Sequence, residues 1–303
     1  MRILMVGAGG TGGAFGTYLH EAGREVTFLV RSERAERLRR DGLRFVSSGL
    51  DRTHPVNLLV RGEETAPFDL VVLAVKATAL DSALDDIAPY VGPDTLILPI
   101  LNGMAHLDLV EQRYPGRTLG GFVRIVATLD GDTVHQLTPL CGLTVGSLTE
   151  EPLPAAVVEA LDVPGIDFAV RDDIRSALWE KWMFIAAAGV TTCLFRGPIG
   201  DIIDAGGLPH IHATVQELEA VAAHAGYPVS EAAQQASRAM LTEPGSEFTS
   251  SLYRDLVAGY RTEAEHLLGD LARRARELGS DTPLLDLALV QIRTVSRAVR
   301  PEA

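Results

Sequence analysis

Apolar residues come in short unbroken runs along the first half of the chain and at helical spacing along the second. Residues 3–6 (ILMV) form a run of the kind buried on both faces of a parallel sheet. A glycine turn follows, then a stretch at 10–22 that predicts a helix, with Gly23 placed for its C-terminal cap. Residues 25–30 predict a second strand. Residues 33–40 predict a charged helix with Ser32 as N-cap and Gly42 as its stop. A third strand is expected at 43–46. From 47 to 67 the pattern is weak, with Leu58, Leu59 and Val60 the best strand candidate. Residues 69–75 (DLVVLAV) read as a strong buried strand, Leu80, Ala83, Leu84 and Ile87 as a helical face, and 95–101 as another strand. Residues 120–129 and 133–137 flank an Asp130-Gly131 turn and predict a hairpin. With a further strand at 143–147, these antiparallel strands are expected to extend the far edge of the sheet. The stretch 151–164 predicts a short helix and then a loop. Past Asp172-Asp173 the strand signals stop, and helices are expected at 174–195, 208–225, 230–241, 248–257, 260–278 and 284–299.

The glycine turn carries the first chemistry. Gly7, Ala8, Gly9, Gly10, Thr11 and Gly12 fit G-x-G-x-x-G, set between a strand and a helix with a second strand after it. In that setting Gly7 allows the tight turn, Gly9 lets backbone approach a pyrophosphate, and Gly12 lets the helix pack close to the strand. The helix N-terminus then offers free N–H groups and a positive dipole end to phosphates. An Asp or Glu at the end of the second strand would select NAD; the chain has Arg31 there, suited to a 2′-phosphate, so the expected cofactor is NADP(H). Lys76 and Asn102 stand at the C-terminal ends of two further predicted strands, where open α/β sheets bind ligands. The fold expected is an α/β Rossmann-type N-terminal domain over residues 1–170, binding NADP, followed by an all-α C-terminal domain over residues 171–303 that supplies substrate and catalytic groups.

Composition narrows the partners. The 303 residues are 47% hydrophobic and 22% charged, with a net charge of −13. That acidity speaks against a nucleic-acid surface or an anionic membrane, and leaves any anionic substrate to local cations. The N-terminal apolar run is too short for a secretory leader, and no apolar stretch reaches membrane-spanning length. Cys141 and Cys193 form no metal or redox motif. A cytoplasmic protein is expected, with a small carbonyl compound as substrate and helices in its second half that offer surfaces for a homodimer. His210, His212 and His224 lack a carboxylate or cysteine at metal-binding spacing, and no metal is expected.

In the helical half, Lys181 lies among Trp182, Met183, Phe184 and Ile185. Two readings fit it: a lysine snorkelling at a helix surface, or an ammonium that orients a carbonyl and protonates its oxygen. Ser250 and Ser251 near a helix start fit either an N-cap or an anion site. Glu263 is expected at the second turn of the next helix, as a solvated charge or a site residue.

Taken together, these stretches resemble the ketopantoate reductase (2-dehydropantoate 2-reductase) family over nearly the whole chain. Gly7 to Gly12 match its nucleotide loop, Arg31 its 2′-phosphate arginine, Val75-Lys76-Ala77 its "VKA" cofactor contact and Asn102-Gly103-Met104 its "NGM". Trp179-Glu180-Lys181 looks like its "WeK" stretch, and Ser250-Ser251, Asp255 and Thr262-Glu263 its "SS…D…TE" signature. The resemblance implies NADPH-dependent reduction of a 2-oxo acid, as in pantothenate biosynthesis, in a cleft between the two halves. Lys181 would be the proton donor and Glu263 would stand beside the catalytic centre. Asn102 would meet both nicotinamide and substrate, and Ser251 would bind substrate.

The chain departs from the family at three places. Family asparagines four and eight residues after the lysine, and one after the proline, are here Ile185, Gly189 and Ile199. Positions four and eight share the lysine's helix face, so the wall that bonds the substrate's polar groups has become apolar or open. This change predicts a substrate more apolar or bulkier than ketopantoate. A non-catalytic NADPH-binding sensor is the rival reading. Arg196, fifteen residues after Lys181, fits either a carboxylate clamp or a helix-terminal charge facing the dipole.

Overall fold

The computed structural model describes residues 1–298 and divides into two compact units. One comprises Met1–Leu101 with His106–Ile174; the other comprises Asn102–Ala105 and the chain from Arg175 onward.

The first unit opens with β1 (Arg2–Val6), α1 (Gly10–Glu21), β2 (Glu25–Leu29) and α2 (Ser32–Asp41). It continues with β3 (Leu43–Ser47), β4 (Leu50–His54), β5 (Asn57–Leu59), β6 (Phe68–Leu73), α3 (Leu80–Ile87), β7 (Val91–Pro99) and α4 (Ala105–Arg113). β8 (Leu119–Asp130), β9 (Thr133–Ser147), α5 (Ala155–Leu161) and β10 (Asp167–Val170) complete it. The runs read as buried strands form one parallel sheet in the order β5-β2-β1-β6-β7. Val6, Leu70, Val71 and Leu73 are at most 3% exposed, as a sheet covered on both faces requires. The chain runs from β1 outward to β2 and β5, then returns to β6 beside β1, so the strand order reverses between β1 and β6. Ligands of such sheets bind at that reversal, beyond the C-terminal strand ends.

The hairpin does not extend this sheet. β8 and β9 belong to a second one, ordered β10-β9-β3-β4 with β8 paired to β9; Thr118, just before β8, makes an isolated bridge to Ile97 of the first sheet. The reason lies in α1, which is covered on two sides. A Cβ on Gly12 would sit 2.2 Å from the Gly7 carbonyl oxygen, and one on Gly16 2.3 Å from the Phe28 ring of β2. On the other side, a Cβ on Gly10 would lie 2.8 Å from the Ala127 oxygen of β8, and one on Gly13 2.5 Å from Val134 of β9. Two faces without side chains let both sheets close on one helix. β4 and β10, which the apolar pattern did not reveal, are edge strands of this second sheet with mostly exposed or half-buried side chains. The N-cap of α2 is Arg31 and not Ser32, which is the first helical residue.

The second unit is helical: α6 (Ile174–Phe195), α7 (Ile199–Asp204), α8 (Leu208–His224), α9 (Glu231–Leu241), α10 (Ser251–Val257), α11 (Asp270–Glu277) and α12 (Pro283–Ala298). The expected helix at 284–299 ends beyond the described residues at Val299. The Pro198 break is followed at once by the short α7, with Pro198 as its N-cap. The helix expected over 260–278 begins only at Ala264 and opens with a π turn, Glu265–Gly269, before α11. Glu217 of α8 accepts the Leu284 and Leu285 N–H groups at 3.1 and 2.9 Å, so one helix caps another. No helix among the described residues is long and apolar enough to cross a membrane.

Replacing Gly12 with Ala puts a methyl group into backbone that cannot retreat. The variant is expected to lose about 1–3 kcal/mol or more of stability, seen as a clear fall in melting temperature. An unchanged melting temperature would show that α1 has room to move away from β1.

Candidate functional site

The glycine loop leaves β1 at Gly7, whose φ of 99° suits glycine and whose missing Cβ lets it lie against Ala74 beyond β6. Gly9 is the N-cap of α1, with no side-chain cap and no acidic residue in the first turn. Space is open where a Gly9 Cβ would point. The loop therefore holds uncapped amides beside an open approach, and a pyrophosphate fits it. Ala8 is buried, while Thr11 and Gly10 are half-buried; the packing of Gly10 on β8 explains that glycine without a ligand. Arg31 follows β2 and is exposed, with no ion pair among the described residues. Its neighbours Arg34 and Arg37 both pair with Asp132 in the β8–β9 turn. Lys76 is exposed and N-caps a single 3-10 turn after β6.

The remaining site residues lie together in the helical unit. The turn of α6 that carries Lys181 is pinned on three sides. Trp179 stacks on Tyr227 with ring centres 5.9 Å apart, Glu180 accepts the Ser230 N–H at 3.1 Å, and the Trp182 indole donates to the Leu267 carbonyl at 3.0 Å. Lys181 Nζ then donates to Asn102 Oδ1 at 2.9 Å. Burial of the ammonium pushes it down from its usual 10.5 to about 8. Asn102, Ser251, Leu252, Asp255, Glu263, His266 and Leu267 line one small pocket.

The paired serines part company here. Ser250 is buried, caps α10 by accepting the Tyr253 N–H at 3.0 Å, and shares a hydrogen bond with Thr192 Oγ1 at 2.7 Å. Ser251, one residue on, is exposed and faces the pocket. Glu263 is not in the second turn of a helix: Gly259, with φ of 72°, ends α10, and an irregular segment carries Glu263 to the residue before the next helix. Its carbonyl accepts the Leu267 N–H at 2.9 Å, so Glu263 caps that helix.

Sequence reasoning passed over His266. It lies on the π turn, three residues after Glu263, and lines the same pocket. Burial holds its imidazole below the usual value, against the opposing pull of Glu263 and Asp270. The i+3 spacing from Glu263 was the signal available.

The substituted positions also have definite places. Ile199 is completely buried. Gly189 is buried, and a Cβ there would meet Leu252 at 3.3 Å. Ile185 is half-buried. Arg196 adopts φ of 59° just after α6, exposed, with its carbonyl accepting the Tyr253 hydroxyl at 3.0 Å. It ends the helix and makes no ion pair among the described residues. No group of three or more His, Cys, Asp or Glu among the described residues is placed to hold a metal ion.

A parallel sheet with an uncapped glycine turn, and a helical unit that sets a half-buried lysine beside an asparagine, suit a dinucleotide-dependent oxidoreductase. The family model "Ketopantoate reductase PanE/ApbA" matches residues 3–150 and its C-terminal counterpart matches residues 173–296, so the chain belongs to the ketopantoate reductase family. Family membership makes it an oxidoreductase acting on the CH–OH/C=O couple. It is 33% identical to a Bacillus subtilis (strain 168) protein named "Uncharacterized oxidoreductase YkpB", over 94% of this chain and 96% of that one. It is 26% identical to the "2-dehydropantoate 2-reductase" of Mesorhizobium japonicum, covering 98% of each. The fold also matches a D-mandelate dehydrogenase solved with NADH and anilino(oxo)acetate, at 22% identity, TM-score 0.88 and 99% of each chain.

The two serines give a clean contrast. Ser250→Ala removes a cap and a buried hydroxyl pair, and is expected to lower stability by about 1–2 kcal/mol in denaturant titration. Ser251→Ala is expected to stay within about 0.5 kcal/mol of the parent. Equal effects would mean that the capping geometry is misread.

Proposed function

We propose that the protein reduces a 2-oxo acid with NADPH and that Lys181 is the proton donor. The observation that carries this reading is the Lys181–Asn102 hydrogen bond, made at a pocket that also gathers Ser251, Asp255 and Glu263. A bound nicotinamide dinucleotide would supply a hydride to the substrate's carbonyl carbon. Gly7, Ala8, Gly9, Gly10, Thr11 and Gly12 would present backbone to its pyrophosphate, Arg31 would meet its 2′-phosphate, and Lys76 and Asn102 would be further contacts. The Lys181 ammonium polarises the carbonyl and protonates its oxygen as the alkoxide forms. Asn102 holds Nζ in place, Ser251 binds substrate, and Glu263 offers a carboxylate beside the lysine's partners.

The substrate we favour is bulkier or more apolar than ketopantoate. Leu252 lies against Gly189, Ile185 keeps the lysine's helix face apolar, and buried Ile199 offers no hydrogen bond. A site that has lost its amides no longer selects for substrate hydroxyls. 2-Dehydropantoate itself remains the reference substrate, and a sensor without turnover is the outcome that would replace both.

NADPH oxidation followed by absorbance tests the chemistry. Wild-type turnover on a panel of 2-oxo acids is expected, with Lys181→Ala slower by about 100-fold to 10,000-fold. The donor is the protonated lysine, so kcat/KM should be flat at lower pH and fall as pH rises through about 8. Full activity in Lys181→Ala, or no alkaline limb, would remove Lys181 as the donor.

Arg31→Ala should weaken NADPH binding by about 10- to 100-fold and leave NADH almost unchanged, since only NADPH carries the 2′-phosphate. Fluorescence titration with both nucleotides decides it, and equal losses would point to a general structural effect.

A further inference from the structure

The π turn makes two separate polar links toward Lys181. Its Leu267 carbonyl accepts the indole of Trp182, the residue next to the lysine. His266 is hydrogen-bonded to the backbone of Asn102. The imidazole also lies against the next residue: a Cβ on Gly103 would be 3.7 Å from His266 Cδ2 and 3.6 Å from its carbonyl oxygen. Gly103 itself sits at φ of 85°, a conformation that a residue with a side chain rarely adopts. The Asn102-Gly103 turn is thus met by His266 at both of its residues. A π turn in place of a regular helical turn shifts the register by one residue, which re-aims the side chains that follow it.

We infer that His266 is a positioning residue, which fixes the Asn102 backbone so that the Asn102 amide oxygen meets Lys181 Nζ. This inference rests on the proposed role of Lys181 and deepens it. The chain of contacts is short: imidazole to Asn102 backbone, then Asn102 Oδ1 to Nζ at 2.9 Å. In this chain of contacts His266 acts through Asn102 and is not itself the proton donor. A ring kept neutral by burial suits the task, because one ring N–H donates to a carbonyl without bringing a second positive charge toward the ammonium. Without that link Asn102 can turn away. The lysine then loses a hydrogen bond that favours its charged form, and its pKa falls further.

The test compares His266→Phe, which keeps a ring and loses the donor, with His266→Asn, which keeps a donor on a short side chain. Lys181 is titrated directly, through the pH dependence of its acylation by acetic anhydride, read by peptide mass spectrometry. Its pKa in His266→Phe is expected to drop by about half a unit or more and to return toward the parent value in His266→Asn. In NADPH oxidation, His266→Phe should lower kcat by about tenfold or more with KM changed by less than about threefold, because the loss lies in the reacting geometry. An unchanged Lys181 titration in a folded His266→Phe overturns the inference, and so does an Asn variant as impaired as the Phe variant. Should His266→Phe fail to fold, the same titration on His266→Leu and His266→Gln decides between the outcomes. The titration needs no turnover. A shifted lysine in a protein that reduces no 2-oxo acid would keep His266 in its role and end the reductase reading.

Discussion

The structure depends on a helix that gives up its side chains. α1 carries glycine at 10, 12, 13 and 16, each of which costs roughly 1 kcal/mol relative to alanine inside a helix. In return one helix is covered on two sides. Gly12 and Gly16 let β1 and β2 approach, and Gly10 and Gly13 let β8 and β9 approach. Leu19 and Phe15 then join a continuous core drawn from both sheets. The same closeness brings Gly7 against the chain beyond β6, at the point where the strand order reverses. Packing and, in the proposed reading, ligand chemistry are therefore written in one motif, and the open side of Gly9 separates them.

The helical unit solves a different problem, that of fixing a half-buried cation in one place. Lysine in an apolar helix is costly unless its ammonium has a partner. Here α6 is locked at the residues on either side of Lys181 by a ring stack, a carboxylate on a helix N-terminus and an indole on a π-turn carbonyl. The ammonium of this fixed turn meets Asn102 Oδ1 at 2.9 Å. Desolvation brings the lysine down to about 8, and in the proposed reading that lets it both hold and release a proton. Position and acidity follow from the same packing.

How much of this the sequence made legible differs by element. The strands of the first sheet are continuous apolar runs, and their places were readable to within a few residues. α6 was readable along its whole length, because it is apolar nearly all round. The second sheet was not, since β4 and β10 are short edge strands with polar or half-exposed positions, and the placing of the hairpin depends on the far face of α1. Glu263 was misplaced for a related reason. Arg261, Thr262 and Glu263 are good enough helix residues, and nothing local says that the chain stays irregular until Ala264. His266 left almost no trace, because its part depends on a π turn, and a one-residue change of register has no signature in composition.

The altered wall of α6 follows from this architecture. A family asparagine at 189 would have to share its space with Leu252, 3.3 Å from where its Cβ would be. Glycine there and leucine on α10 are two halves of one packing solution. Ile199 belongs to the same change, buried with its N–H on the Phe248 carbonyl at 3.1 Å. The chain is apolar or open at all three positions, with Gly189 of α6 against Leu252 of α10 and Ile199 buried at the start of α7. In the proposed reading, the groups that do chemistry stay on Asn102, Lys181 and the segment at Glu263, while selectivity passes to shape. Apolar shape separates substrates by only about 1–3 kcal/mol per methylene, far less than a buried hydrogen bond to a hydroxyl. A site built this way accepts a range of 2-oxo acids of similar bulk, and its chemistry is more sharply defined than its substrate.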